Sequence, residues 1–254
     1  MAVETARPTY EIVGPLVRFD ERDHVMARER LVPDSPQWKA YFAMRPELEE
    51  RARKLKKLPG LRGTGDPADL AMLDTIQFGL VRTLSSEEDV CPRPAEQRRE
   101  IEPARASTKL KGLARLLGAD LVRIGPLNPA WVYSHVGRSH QPERLGQPIT
   151  LTHQYAISVA VAMDPDMPAS GPGPATGISA FRSYAKLAAI SVGLAHYIAR
   201  LGYPARAHNQ GNYLLACPLG KPKPWRFQVK QPPSWLEPAG MEWQKLRLRR
   251  STPI

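Results

Sequence analysis

Between Ser107 and Asn209 the apolar residues change period several times, and that succession restricts the chain to helices layered on a sheet. Leu110, Leu113, Leu116 and Leu117 make a helical stripe, which Ser107 or Thr108 can cap and Gly118 can end in a left-handed conformation. Asp120 to Ile124 (DLVRI) alternates as a strand does, and Gly125-Pro126 closes it. Ile149 to Met163 contains YAISVAVAM, small and β-branched enough for a buried central strand. Asp164 to Gly177, with four prolines and three glycines in fourteen residues, predicts an irregular loop or lid. Ser179 is then a good cap for a helix to about Leu201, with Gly202 as its stop. Leu187, Ile190, Leu194, Ile198 and Leu201 form its expected buried stripe, and Tyr184, three residues before Leu187, is expected on the buried side of the first turn. Tyr203 to Ala207 reads as a short strand that delivers His208, Asn209, Gln210 and Asn212 to one end.

This gives an α+β core over residues 107–219, preceded by an extension over residues 1–106 with helices of its own. PELEERARKLKKL, Pro46 to Leu58, is one such helix, closed by Pro59 and Gly60. Pro67 to Thr83 is a second, with Leu70, Leu73, Ile76 and Leu80 on one side. The charge run Arg51 to Lys57 fits a solvated helix face. The 26 prolines are about twice the usual share of roughly 5%, which predicts much connecting chain.

The net charge of +11 is concentrated at one end. Residues 220–254 hold eight basic and two acidic side chains, more than half the excess, in a proline-rich tail that is expected to be disordered. Arg247, Arg249 and Arg250 with Trp225, Trp235 and Trp243 could contact phosphates and stack bases, so an anionic surface or nucleic acid is one alternative partner. No nucleic-acid-binding fold accompanies them. Two cysteines, Cys91 and Cys217, make neither a disulfide framework nor a zinc motif. The opening MAVETARPTY has no signal-peptide pattern, and the longest uncharged apolar run, Tyr155 to Met163, is less than half of a span of about 20 residues. A cytoplasmic protein without membrane contact is the expectation.

Residues 127–147 read as a loop anchored by Trp131 and Tyr133. His135 and His140 in that loop fit solvated side chains better than metal ligands, and no metal site is expected.

Three stretches in order, GADLVRIGPLNPAWVYS, ITLTHQYAISVAVAMD and SYAKLAAISVGLAHYIARLGYPARAHNQ, resemble the reductive dehalogenases, and the opening VGPLVRFDERDHVMARERLVPDSPQW is similar to their catabolic, non-exported branch. The likeness runs over about residues 11–219. It implies a corrinoid-binding core like those of nitroreductase-like and cobalamin-processing proteins, in which a carbon–halogen bond of an organohalide is cleaved at cobalt. By the same resemblance, Tyr184 matches the family's catalytic tyrosine and Asn209 a substrate-pocket asparagine. A phenol suits proton donation because its reference pKa of about 10 keeps it protonated at neutral pH.

The family pattern also calls for a glycine-rich segment, a basic partner for the tyrosine and two cysteine runs for iron–sulfur clusters. After CPLG the chain reads KPKPWRFQVKQPPSWLEPAGMEWQKLRLRRSTPI instead. The expectation is an incomplete, truncated member that is inactive alone and depends on a separate iron–sulfur half. The alternative is a non-catalytic accessory or vestigial domain.

Overall fold

Proline placed directly after a capping side chain is the device that starts three of the helices. In the computed structural model of the chain, Ser35 accepts the Trp38 amide ahead of Pro36, Asp66 accepts the Ala68 amide ahead of Pro67, and Glu102 accepts those of Ala104 and Arg105 ahead of Pro103. Proline has no amide to orphan at that position, and its fixed φ is already helical. Three of the 26 prolines therefore start helices in this way.

The structure describes residues 17–24, 27–28, 31–57, 66–138, 142–169 and 173–209. These form helices α1 (Pro36–Met44), α2 (Glu49–Leu55), α3 (Pro67–Asp74), α4 (Glu87–Val90), α5 (Pro103–Leu116), α6 (Asp166–Ala169) and α7 (Pro174–Arg200), with strands β1 (Leu121–Pro126) and β2 (Tyr155–Ala160). The tail 220–254, with its expected disorder, lies outside the described residues, as do Leu58, His140, Gln210 and Asn212.

The two strands pair antiparallel from Leu121 opposite Ala160 to Pro126 opposite Tyr155. With helices around this small sheet, the arrangement is α+β. Three expectations about the strands are corrected. β2 is not central, since β1 is its one partner among the described residues. Its side chains are at best half-buried. Tyr203 to Ala207 forms no strand: it runs extended beside α4, with the Ala207 amide on the Val90 carbonyl at 2.7 Å.

α7 organises the core. It begins at Pro174, so part of the expected loop is helix and Ser179 is a buried interior residue rather than a cap. The expected leucine and isoleucine stripe is half right. Ile190 and Leu194 pack with Ala114, Ala119 and Val122 from α5 and β1. A second stripe, carried by Val192 and Ala195, meets Val90, Ala205 and Ala207. A helix apolar on two sides belongs inside the molecule.

The two glycine stops are confirmed in detail. After α5 the Gly118 amide reaches Arg115 and the Ala119 amide reaches Ala114; after α7 the Gly202 amide reaches Ala199 and the Tyr203 amide reaches Ile198. Both glycines have left-handed φ, +99° and +85°, as this helix ending requires. The α5 cap and stripe differ from expectation. Glu102 caps the helix, not Ser107 or Thr108, and Leu116 is 83% exposed while Ala114 is fully buried.

α3 continues as a π-helical segment, Thr75–Val81. The wider turn rotates the following residues, so Val81 is buried where Leu80 was expected, and Leu80 faces solvent. α3 and its continuation pack on α7. α1 and α2 form a separate cluster of Trp38, Tyr41, Phe42 and Ala52.

Residues 18–22 clamp the loop that carries Val132, Tyr133, Val136 and Ile149. The Arg18 guanidinium donates to the carbonyls of Val132 (3.1 Å), Tyr133 and Ile149 (2.6 Å). Glu21, 0% exposed, accepts the Gly137 amide at 2.8 Å, the Arg138 amide at 3.0 Å and the Arg138 side chain at 2.8 Å. A Cβ on Gly137 would lie 2.4 Å from the Glu21 carbonyl carbon, so the contact admits glycine alone.

Candidate functional site

Tyr184 sits in the third turn of α7, because the helix starts six residues earlier than its sequence signal suggested. The expectation of a buried ring is overturned as well. Tyr184 is 37% exposed, and its ring tilts against buried Phe181 with centroids 5.8 Å apart. The ring thus stands on a long helix, partly exposed and supported by Phe181.

Asn209 is buried, and its amide serves the fold directly. Nδ2 donates to the Leu84 carbonyl at 2.7 Å, and Oδ1 lies 3.4 Å from the Ser85 hydroxyl. That hydroxyl is closer to the Val81 carbonyl, at 2.8 Å. Asn209 therefore pins the end of the π-helical segment to the strand-like run after α7. Tyr184 and Asn209 are held by different supports, the first by Phe181 and the second by residues 84 and 85.

His135 lies in its loop with Nδ1 3.0 Å from the Ser134 hydroxyl and 3.5 Å from Asp20. No group of three or more metal-ligating side chains occurs among the described residues. Burial is the main cause lowering the pKa of His24 below the usual histidine value, with the charges of Arg138 and Arg28 adding to it.

A second constellation had no sequence signal beyond the polar end of YPARAHN. Arg206, its side chain 7% exposed, donates from Nη1 to Glu87 Oε1 at 2.6 Å, while Arg144 Nη1 lies 3.4 Å from Glu87 Oε2. The Arg206 hydrogen bond holds the Glu87 carboxyl below the ordinary carboxylate range. Arg206 Nε and Nη2 are buried without a partner, and so are both ring nitrogens of His153. Burial, then the charge of Arg206, lowers the His153 pKa. Nothing local in the sequence joins residues 87, 144, 153 and 206, because helix α7 and the sheet separate them along the chain.

Toward a corrinoid, what the described residues of α7 offer is the partly exposed ring of Tyr184, tilted against buried Phe181. The 37% exposure of Tyr184 means that these residues do not by themselves enclose a macrocycle.

No protein-family model matches the chain, and no curated protein does. Among solved structures it is similar to the N-terminally tagged catabolic reductive dehalogenase NpRdhA, with 22% identity and a TM-score of 0.56 over 86% of this chain and 29% of that one. The same enzyme in complex with 3-bromo-4-hydroxybenzoic acid gives 23% identity and a TM-score of 0.54 over 84% of this chain. This chain spans 28% of the length of that structure. At such identity the likeness is one of fold: the chain shares the architecture of part of a reductive dehalogenase.

Proposed function

We propose that the chain is the corrinoid-facing part of a reductive dehalogenase system, with a nitroreductase-like core. The observation that carries this reading is the fold itself, similar to part of a catabolic reductive dehalogenase, with the partly exposed ring of Tyr184 on α7. A bound corrinoid supplies the cobalt at which a carbon–halogen bond is broken. The overall change takes an organohalide, two electrons and a proton to the hydrocarbon and a halide ion.

Tyr184 gives the proton from its hydroxyl to the carbon that loses the halogen, and Phe181 fixes the ring. Asn209 forms part of the pocket wall through its backbone and neighbours while its amide holds residues 84 and 85. The electrons come from iron–sulfur clusters outside these 254 residues, since two cysteines cannot ligate even one four-iron cluster. Halogenated phenolic acids are the first substrates to try, because the similar enzyme was solved with one. A cytoplasmic location is part of this reading, supported by a sequence with two cysteines and no disulfide framework.

The test is to titrate the protein with cobalamin, with and without a chemical reductant, and follow the visible bands. Saturable perturbation is expected, and unchanged bands at both oxidation levels overturn the reading. Tyr184→Phe should bind cobalamin as the parent does, while bromide release from 3-bromo-4-hydroxybenzoic acid under reductant falls by about 10²–10⁴-fold, the usual contribution of a positioned proton donor.

A further inference from the structure

The Arg206 cluster is out of balance in charge and in hydrogen bonds. Two guanidiniums, buried Arg206 and partly exposed Arg144, share the single carboxylate of half-exposed Glu87, so these three side chains carry one net positive charge. Glu87 occupies only Nη1 of Arg206. The other edge, Nε and Nη2, has no acceptor and no water access, and both ring nitrogens of His153 are in the same condition. An unmade hydrogen bond from a buried charged group costs more than one from a neutral group. The two orphaned Arg206 nitrogens belong to a charged group, and an acceptor bound at that edge would relieve them.

The geometry of the vacant edge selects the chemistry. Nε–H and Nη2–H of a guanidinium point in parallel and match the two oxygens of a carboxylate, a pairing that a lysine cannot reproduce. One leftover positive charge is balanced by one negative charge.

We propose that Arg206, with His153 beside it, forms a receptor for a small monocarboxylate. Its two oxygens take the Nε and Nη2 hydrogens of Arg206, and the imidazole N–H of His153 is a further donor. The site is built from α4, the turn Pro142–Arg144, the segment before β2 and the run after α7, so its occupant ties four parts of the chain together. It does not depend on Tyr184 or on corrinoid binding, and no bond of the ligand is broken.

The experiment uses the full chain at pH 7.5 in sodium acetate, sodium benzoate or sodium chloride at equal ionic strength. A carboxylate that binds only the native state raises Tm progressively with its concentration, while chloride does not. The His153 imidazole resonances should shift saturably over the same concentration range. Arg206→Lys, which keeps the charge and loses the fork, should raise the apparent Kd by about tenfold or more. Equal Tm in all three salts together with unmoved His153 resonances overturns the proposal, as does undiminished affinity in Arg206→Lys. If that variant does not fold, the His153 titration of the parent protein decides alone.

Discussion

A carboxylate removed from water must find donors for its oxygens, and Glu21 finds three on Gly137 and Arg138, more than a hundred residues along the chain. Its contribution is conditional on both partners. Glu21→Ala takes a bonded carboxylate from the largely buried Arg138 guanidinium and the acceptor from two backbone amides, so a loss of about 3 kcal/mol in urea unfolding is expected. Gly137→Ala should damage the same junction by driving a methyl group into the residue 21 backbone. The double variant should lose clearly less than the two singles added, because each already opens the one contact. Additive losses would show that the junction is not a unit. The sequence marks this opening only as charged and proline-rich, since a pairing over such a separation leaves no local pattern. The same reason hides Arg206 and Glu87, and it hides the structural duty of Asn209.

At the level of elements, what could be read locally was read well. Gly118 and Gly202 end α5 and α7 because few residues other than glycine take those backbone angles easily, and β1 and β2 follow from alternation and β-branching. Phase was harder. The π-helical turn at Thr75–Val81 moves the buried position from Leu80 to Val81, and no residue type announces such a turn. Burial of the small side chains along α7 was equally silent, because alanine is at home on either side of a helix. The expected start of α7 failed for a different reason: the GPGP segment looked like pure loop, yet its last proline starts the helix. Gly112, inside α5, has open space where a Cβ would stand. Gly112→Ala should therefore stabilise the protein by about 0.5–1 kcal/mol through helix propensity alone, seen as a higher urea midpoint with unchanged slope. A lower midpoint would mean that this face of α5 is covered.

Over the whole molecule, acid should act in two stages. His24 and His153 have lowered pKa values when folded, so below the unfolded value of about 6.5 the unfolded chain binds protons that the native chain refuses, and stability falls with pH from there down through their folded values. Glu87, Glu49 and Asp20 are also lowered, which for acids means stability present above about pH 4 and lost below it as they protonate. A chain that already carries +11 gains further positive charge throughout this titration. Chemical denaturation at pH 7.5, 5.5 and 3.5 should show both declines, and His153→Gln should flatten the first. An unchanged midpoint between pH 7.5 and 5.5 contradicts the assignment.

α7 supplies one wall to each of two apolar clusters, whereas the cluster around Trp38 draws nothing from it. Loosening either of the first two strips support from the other, so the sheet, α5 and the run after α7 belong to one cooperative transition. The Trp38 region is under no such obligation. Amides of α1 and α2 are free to exchange with deuterium through a local opening that leaves the remainder closed, so this chain has two separate stabilities to measure.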